Sequence, residues 1–319
     1  MTPRATVRWG FLGAGFVASR GVAPAVHDAD GAVLQVVAAR DVTRAATLEP
    51  VRTVDSYAAV CEADDVDAVY ISLPNDDHLP WVVAALEAGK HVLCEKPLGL
   101  DVAQVQQMTD VAHAAPTMLV EASWNRWHPR TRRVEALLAD TPGPIEVETG
   151  FTFPGVPSDN YRLDPARGGG ALLDVGCYAI AAAMMALGDD VRVPTAEQHL
   201  GPTGVDLTTA ATLVSPRGRA SILASFERPE SQRWSVTSSS LTLGLPHPAF
   251  TSWREPSTLQ VVEDGVERIE TFESCDAYRL MIEAVSARAA GDDVWVLPLE
   301  TSLAVARAVE LVAHASAGP

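Results

Sequence analysis

Basic residues are scarce in this sequence, and their scarcity excludes several classes of function. The 319 residues include 24 Lys and Arg against 41 Asp and Glu, which gives a formal net charge of −17. A surface of this sign repels nucleic-acid phosphates and anionic lipid headgroups. We therefore expect a small-molecule substrate, and neither a nucleic-acid partner nor a membrane partner.

Cysteine is also sparse. The four cysteines lie far apart and form no C-x-x-C motif or Cys/His cluster; they are Cys61, Cys94, Cys177 and Cys275. This spacing predicts reduced, mostly buried thiols and no metal site.

Long apolar runs, internal repeats and low-complexity segments are absent from the sequence. No stretch approaches the length that spans a bilayer, and the first eleven residues lead directly into a predicted strand, with no room for a signal peptide. The length predicts two domains with a substantial core. We expect a cytoplasmic protein.

The first motif is a glycine-rich turn after an apolar, β-prone run that begins at Val7. The string Gly-Ala-Gly-Phe-Val-Ala occupies residues 13–18. Gly13 permits a sharp turn, Gly15 permits a diphosphate to approach the backbone, and Ala18 permits close helix packing. The N-terminus of the following helix, at Phe16 and Val17, offers N–H groups to the diphosphate. The context favours a dinucleotide site over an ordinary tight turn.

The second predicted strand, 33–39, ends at Arg40 and Asp41. An acidic residue at this position hydrogen-bonds the 2′-hydroxyl of NAD, whereas an arginine accommodates the 2′-phosphate of NADP. Arg40 comes first and Arg44 follows one helical turn later, so NADP(H) is favoured. Asp41 keeps NAD(H) as the alternative, and Arg44 is equally typical of a plain surface arginine.

Strands alternate with helices through the first 121 residues, which predicts a doubly wound parallel sheet, the Rossmann domain. Ligands bind beyond the carboxyl ends of such strands. The candidate cofactor contacts at these ends are Gly13, Gly15, Phe16, Val17, Arg40, Asp41, Leu73, Pro74, Asn75, His78, Glu95 and Lys96. His78 taken alone is as typical of a solvated loop.

From residue 122 to 319 the pattern changes to a second α/β domain. Segments 145–153, 205–214, 219–227, 234–243 and 259–272 are predicted strands of a large, mostly antiparallel open sheet. We expect this domain to bind substrate and to form a homo-oligomer, a dimer or tetramer, through the sheet. The C-terminal helix is expected to pack back toward the first domain.

An apolar helix is predicted over 171–187, and it carries Asp174 and Tyr178 on one face, since they are four residues apart. Two interpretations remain at this point. The tyrosine is either a buried side chain satisfied by local polar groups or a catalytic group.

Four strings together resemble the Gfo/Idh/MocA oxidoreductase family. They are GAGFVA (13–18), AGKHVLCEKPL (88–98), EASWNRWHP (121–129) and NYRLDPARGGGALLDVGCY (160–178). The last is most similar to the branch that holds glucose–fructose oxidoreductase, dihydrodiol dehydrogenases and NADP-dependent xylose dehydrogenases, which has Tyr where other branches have His. The resemblance implies a Rossmann domain followed by an α/β domain whose open sheet serves dimerisation.

The resemblance also implies roles. Lys96 corresponds to the active-site lysine, with a Lys96–Pro97 bond that can be cis. Tyr178 corresponds to the proton donor or acceptor, and Asp174 to a residue that orients substrate or the lysine. Hydride transfer to or from a carbonyl carbon requires a proton transfer at oxygen, and a neighbouring ammonium favours the phenolate of a tyrosine. We expect Lys96 and Tyr178 to meet one oxygen in the crevice between the domains.

Trp124 and Asn125 replace a Met-Tyr pair common in relatives, so the substrate is not inferred from the family. The candidate substrate contacts are Trp124, Asn125, Arg126, Asn160 and Arg162. The prediction is an NADP(H)-dependent oxidoreductase that acts on a secondary alcohol or carbonyl of a sugar, polyol or dihydrodiol. The alternative is a non-catalytic dinucleotide-binding regulator, which the retention of Lys96 and Tyr178 disfavours.

Overall fold

The computed structural model describes residues 6–316, which divide into two units. Unit 1 takes the chain through Trp127 together with Asp276–Leu303, and unit 2 takes His128–Cys275 and the chain from Ala304 on. The domain boundary predicted after residue 121 therefore lies six residues before the observed division. The segment 276–303, predicted within the second domain, groups with unit 1.

Unit 1 contains a six-stranded parallel sheet in the order β3-β2-β1-β4-β5-β6. Its strands are β1 Val7–Leu12, β2 Ala32–Ala38, β3 Arg52–Val54, β4 Ala68–Ile71, β5 His91–Cys94 and β6 Leu119–Glu121. The strand order reverses between β1 and β4, and a ligand crevice forms at the carboxyl ends of strands at such a point. The doubly wound parallel sheet is confirmed.

Unit 2 contains an eight-stranded sheet in the order β14-β13-β12-β11-β7-β10-β9-β8. Its strands are β7 Ile145–Thr152, β8 Arg192–Leu200, β9 Asp206–Ser215, β10 Gly218–Ser225, β11 Ser231–Thr237, β12 Leu241–Leu245, β13 Ser257–Glu263 and β14 Val266–Phe272. Only β7 and β10 pair in parallel. The large, mostly antiparallel sheet is confirmed. Segments 234–243 and 259–272, each predicted as one strand, are each two strands joined by a turn.

Nine α-helices occur within residues 6–316. They are α1 Ala23–Asp28, α2 Val42–Ala46, α3 Tyr57–Cys61, α4 His78–Glu87, α5 Val102–Ala114, α6 Pro129–Ala139, α7 Cys177–Leu187, α8 Ala277–Ala289 and α9 Leu299–Ser316. A π-helical turn precedes α1 at Ala18–Val22, and a second precedes α7 at Leu172–Gly176. Such turns are frequent at functional sites.

The core of unit 2 lies between its sheet and three helices, α6, α7 and the later turns of α9. Ile180 and Met184 of α7 and Val312 of α9 pack with inward-facing residues of the sheet such as Trp234. The expectation that no stretch approaches the length of a membrane span is wrong for the segment Pro165–Leu187, which is long and apolar enough to cross a membrane. However, 78% of its most apolar window is buried inside the protein. It is therefore explained as a core helix.

Candidate active site

The glycine turn after β1 has the geometry that its sequence predicts. Gly13 adopts a φ of +99° and donates its N–H to the carbonyl of Ala38 across 2.8 Å. A Cβ at this position would lie 2.8 Å from the carbonyl oxygen of Ser72. The fold itself therefore requires glycine here.

Gly15 is different, because no neighbouring protein atom would clash with a larger side chain at this position. A Cβ there would have its nearest contact at 3.7 Å, again the carbonyl oxygen of Ser72. Phe16 next to it is 78% exposed, and Val17 begins the helical turns. The hydroxyl of Ser72 is buried beside this turn without a hydrogen-bond partner among the described residues. An open cradle next to an unsatisfied hydroxyl fits the diphosphate-bearing portion of a dinucleotide.

Arg40 and Asp41, at the end of β2, have different hydrogen-bonding surroundings. The Asp41 carboxylate caps α2: it accepts hydrogen bonds from the backbone and hydroxyl of Thr43 and from the backbone of Arg44. These bonds, the Thr43 hydroxyl first, lower the pKa of Asp41. Arg40 is exposed and forms no hydrogen bond or ion pair with the residues at positions 6–316. This strand end therefore presents Arg40, a cation without a partner among residues 6–316, beside the ionised carboxylate of Asp41.

His78 is a buried residue that links two loops. Its Nδ1 lies 3.0 Å from the carbonyl oxygen of Pro97, and its Nε2 lies 3.0 Å from that of Leu73. Burial lowers the pKa of His78. The ring therefore fastens the loop that begins with Leu73, Pro74 and Asn75 to the loop that follows Lys96, and both of its nitrogens face backbone.

Lys96 follows a buried glutamate at the end of β5, and its bond to Pro97 is cis. The Tyr70 hydroxyl donates to Glu95 Oε1 across 2.7 Å. Burial raises the pKa of Glu95 to about 7, although Tyr70 and the Lys96 charge oppose the rise. Glu121, at the end of the adjacent β6, is also buried and also has a raised pKa.

The predicted substrate residues at 124–126 form a short helical turn after β6. Trp124 is buried and stacks on Tyr278 of α8, with ring centroids 4.4 Å apart and planes inclined by 19°. Arg126 is buried, and Asn125 is half-buried. The indole of Trp124 is therefore packed against another side chain of unit 1, and Asn125 is the most exposed of the three residues.

In unit 2, Asp174 pairs with Arg162. The guanidinium Nε donates to Asp174 Oδ2 across 2.7 Å. The backbone of the same arginine accepts a hydrogen bond from Gly170 and donates one to the Asn160 side chain. Asn160 thus caps the short turn that carries Arg162. The terminal nitrogens of Arg162 form no hydrogen bond with the described residues.

Tyr178 lies in the first turn of α7, directly after the π-helical turn that contains Asp174. Its ring contacts Phe151 and Phe250, with centroid separations of 5.7 and 6.0 Å. Arg162 lies close enough to Tyr178 for the two charges to interact. The tyrosine is half-buried among aromatic rings, with Arg162 nearby.

The predicted residues therefore form two groups, one in each unit. The carboxyl edge of the parallel sheet carries the glycine turn, Arg40, the loop at 73–78 and Lys96; unit 2 carries Arg162, Asp174 and Tyr178. Sequence reasoning missed the buried Tyr70 and Glu121 near Lys96, and also Ser302, whose hydroxyl donates to Glu121 Oε2 across 2.7 Å. Glu121 ends a strand, so the rule that selected Lys96 could have selected it. Within residues 6–316, no group of three or more His, Cys, Asp and Glu could hold a metal ion.

Two family models match this chain. The model of an oxidoreductase family with an NAD-binding Rossmann fold matches residues 7–122, and the model of the GFO/IDH/MocA C-terminal domain matches residues 143–243. The chain belongs to the Gfo/Idh/MocA family.

Known Gfo/Idh/MocA proteins resemble the chain over most of its length. D-xylose 1-dehydrogenase (NADP(+)) 2 of Haloferax volcanii is 33% identical over 95% of both chains. Trans-1,2-dihydrobenzene-1,2-diol dehydrogenase of Xenopus tropicalis is 32% identical over 68% of both. A 3-ketoreductase of Actinomadura kijaniata, solved with NADP and TDP-benzene, superposes with a TM-score of 0.89 at 28% identity, covering 97% of this chain and 98% of the other.

Proposed function

We propose that this protein is an NADP(H)-dependent oxidoreductase that transfers hydride between the nicotinamide and a secondary alcohol or carbonyl of a sugar, polyol or dihydrodiol. One observation carries the proposal. The open cradle at Gly15 and the lysine at residue 96 lie at the carboxyl edge of one parallel sheet, where ligands of such sheets bind.

The choice of NADP(H) over NAD(H) rests on the end of β2. Asp41 caps α2 through Oδ1, so one of its two carboxylate oxygens is engaged by the helix end. Arg40 is unpaired among residues 6–316 and can bind a 2′-phosphate through charge-assisted hydrogen bonds. The xylose dehydrogenase and the 3-ketoreductase similar to this chain are named or solved with NADP.

The bound cofactor supplies or accepts the hydride at its nicotinamide ring. In the oxidation direction, the Tyr178 phenolate takes the proton of the substrate hydroxyl as the hydride leaves the carbon. In the reduction direction, the Tyr178 hydroxyl returns that proton to the oxygen. The Lys96 ammonium stabilises the negative charge that develops on the reacting oxygen. Asp174 holds Arg162, which presents its terminal nitrogens to the substrate.

The substrate class follows from polar groups with free hydrogen-bonding capacity. The terminal nitrogens of Arg162 and the half-buried amide of Asn125 suit hydroxyl oxygens, and Asn160 and Arg126 are further candidate contacts. Trp124 shapes the site through its stack on Tyr278. Sugars, polyols and dihydrodiols all present such oxygens beside a carbon that can be oxidised.

The proposal includes a homo-oligomer, a dimer or tetramer, in the cytoplasm. Helices cover one face of the eight-stranded sheet, and the other face carries exposed residues of both charges, such as Glu146, Glu148 and Arg219. A surface with both charges can pair with a second copy of itself. The four cysteines are free thiols, as in a reducing compartment. Light scattering after size-exclusion chromatography measures the subunit number.

The alternative from another class is a dinucleotide-binding regulator without catalysis. It needs the glycine turn and Arg40 but has no use for an acid–base tyrosine or for a lysine at the strand end. The retention of both Lys96 and Tyr178 therefore favours the enzyme.

The test is a turnover assay. NADPH oxidation, followed by its absorbance, is measured with a panel of keto-sugars, aldoses and diketones, and NADP⁺ reduction with polyols and dihydrodiols. We expect turnover with at least one of them and a large loss of it in Lys96→Ala. Tight NADPH binding without turnover on any substrate would favour the regulator.

A further inference from the structure

The helical run that carries Asp174 and Tyr178 has no capping side chain of its own. It begins at Ala171, and the residue before it is Gly170, which has a φ of +118°. The hydrogen bond from the Asp174 N–H to the Gly170 carbonyl, 3.1 Å long, begins the helical pattern. The N–H groups that precede it have no acceptor within the helix. A helix usually satisfies one of them with the side chain of the N-cap residue, and glycine has none to offer.

Asp206, the first residue of β9, supplies an acceptor for this helix end from the sheet. Its Oδ2 accepts a hydrogen bond from the N–H of Leu172, 34 positions earlier in the chain, across 2.8 Å. The hydroxyl of Thr209 donates to the same oxygen across 2.6 Å. Asp206 is 8% exposed and Thr209 is fully buried, so protein donors replace water around this oxygen. A carboxylate at a helix N-terminus is also favoured by the helix dipole.

Gly170 makes room for Asp206 and joins it to the backbone of Arg162. A Cβ at Gly170 would overlap Oδ1 of Asp206. Gly170 also donates its N–H to the carbonyl of Arg162 across 2.9 Å. The glycine therefore permits the close approach of a carboxylate of this chain, and Asp206 contacts the point where the loop of Arg162 meets the helical run.

Asp206 is thus connected to both members of the Arg162–Asp174 ion pair. Asp174 lies two residues after Leu172, whose N–H the Asp206 carboxylate binds. The Asp174 carboxylate accepts from Arg162 across 2.7 Å. A displacement of this first turn would move Asp174 relative to Arg162, and it would move Tyr178, which follows on the same helical run.

We propose that Asp206 is a positioning residue of the candidate site. Its carboxylate caps the helical run 171–187 from the sheet and fixes the first turn, in which Asp174 meets Arg162. The proposal rests on the proposed function insofar as this pair and Tyr178 serve the reaction. Both oxygens of Asp206 face the protein, so it acts through the pair rather than on the substrate.

Arg217 provides a matched control in the same unit. Its Nη2 donates to the carbonyls of Leu138 and Thr141, at 3.1 and 3.0 Å, and so caps the C-terminal end of α6 from a distant part of the chain. None of the candidate site residues lies on α6. Arg217→Ala therefore removes a long-range helix cap without changing the turn after Gly170.

The first test compares the stability effect of breaking the ion pair in three backgrounds. The drop in the urea midpoint caused by Asp174→Ala is measured in wild type, in Asp206→Ala and in Arg217→Ala. If Asp206 positions the pair, its removal has already weakened the pair, so the drop in Asp206→Ala should be at most about half of that in wild type. The Arg217→Ala background should give the full drop.

Two outcomes of this test overturn the proposal. Equal drops in wild type and in Asp206→Ala would show that Asp206 and the ion pair are independent. Drops reduced to the same extent in Asp206→Ala and Arg217→Ala would show a general effect of lost stability. The comparison needs no turnover, so it stands even if no substrate is found and the proposed function fails.

Thr209→Val covers the case in which Asp206→Ala does not fold. Valine keeps the branched shape of threonine but lacks the hydroxyl that fixes the direction of Asp206 Oδ2. In this background the drop caused by Asp174→Ala should be smaller than in wild type by at least about a quarter. An equal drop overturns the proposal.

Where a substrate is found, kinetics separate positioning from cofactor binding. Asp206→Ala should lower kcat by about tenfold or more, while the Kd for NADPH stays unchanged because the candidate cofactor residues lie in unit 1. Asp206→Asn, whose amide oxygen can still accept from Leu172, should recover most of the loss, and Arg217→Ala should retain the wild-type kcat. Wild-type kcat in Asp206→Ala overturns the proposal, and so does an equal loss in Arg217→Ala.

Discussion

Arg162 and Asp174 form a 2.7 Å ion pair in which both side chains are largely withdrawn from solvent, with 31% and 11% of their side-chain surface exposed. Burial lowers the pKa of Arg162, whereas the Asp174 charge raises it. The net effect is a raised pKa. The pair joins the loop after β7 to the π-helical turn that leads into α7. It therefore fixes the approach to Tyr178 from within unit 2.

Breaking this pair should destabilise the protein measurably. Asp174→Ala leaves a guanidinium in a poorly solvated position without its counter-ion, and we expect a loss of about 2 kcal/mol in the free energy of unfolding. The value is below that of a fully buried pair because Arg162 retains contact with water. Urea unfolding followed by circular dichroism measures it.

The surface pair of Arg52 and Asp65 is the matched control. It has the same 2.7 Å separation but exposes 37% and 39% of its side chains. Asp65→Ala should cost less than about 1 kcal/mol, because water screens the charges. Equal losses in the two variants would mean that the Arg162–Asp174 pair contributes no more than an exposed one.

Tyr178→Phe separates proton transfer from ring packing. The phenylalanine ring keeps the contacts with Phe151 and Phe250, so folding and NADPH affinity should be preserved. The loss of the hydroxyl should lower kcat by about 100-fold or more. Steady-state rates and a fluorescence titration with NADPH measure the two effects. Full activity in the variant would remove Tyr178 from the mechanism.

The buried Glu95 makes stability depend on pH in a defined direction. Its pKa is about 7 in the folded protein against an ordinary value of 4.5, so the folded state holds the proton more tightly than the unfolded chain. Between these values a rise in pH therefore weakens folding, and above about pH 7 the full cost, about 3 kcal/mol at most, is present.

Glu95→Gln isolates this contribution because the amide does not titrate. The free energy of unfolding of the variant, relative to wild type, should increase steadily from about pH 5 to about pH 8. Denaturant titrations at several pH values give the comparison. A difference that stays constant across this range would show that Glu95 has an ordinary pKa in the folded protein.

The parallel half of the fold was the most predictable from sequence. A strand buried on both faces is a short apolar run; the sequence predicts such a strand over residues 91–94, and the structure has it at His91–Cys94. The sequence also predicts a helix over residues 129–139, with Pro at its first position, and the structure has it at Pro129–Ala139.

The antiparallel half was less predictable because its strands are half-exposed. The turn between β13 and β14 lies at Asp264-Gly265, where both residues have positive φ. This dipeptide is a known hairpin signal. It was overlooked because apolar and polar residues alternate on both sides of it, which is typical of one continuous strand. Strand β8 was not predicted, because it is largely exposed and lacks an apolar alternation.

In the candidate site, sequence reasoning found residues but not their partners. The position of Lys96 at a strand end followed from the alternation of elements. The pairing of Asp174 with Arg162, the stack of Trp124 on Tyr278 and the buried bond between Tyr70 and Glu95 each join residues far apart in sequence or on different elements. No local pattern specifies such contacts.

Arg40→Ala should change the preference between the two dinucleotides. Because the exposed guanidinium has no partner among residues 6–316, its removal should leave stability unchanged while weakening NADPH binding about 10- to 100-fold and NADH binding little. Asp41→Asn is the control: it weakens the cap of α2 and should leave the preference as it was. A preference unaltered in Arg40→Ala but altered in Asp41→Asn would assign the choice to the aspartate.

The two glycines of the dinucleotide turn should respond to alanine in opposite ways. Gly13→Ala forces a side chain into a φ of +99° and a 2.8 Å contact with the Ser72 carbonyl, so it should lower the free energy of unfolding by several kcal/mol. Gly15→Ala places its Cβ in open space, 3.7 Å from the nearest protein atom, and should leave stability unchanged or raise it by about 0.5 kcal/mol.

If a diphosphate lies against Gly15, the methyl group of Gly15→Ala should nevertheless weaken NADPH binding by at least about tenfold. Thermal unfolding with and without NADPH measures both effects, because a ligand raises Tm only in a variant that binds it. A stable Gly15→Ala variant with unchanged NADPH affinity would mean that the cofactor does not contact this turn.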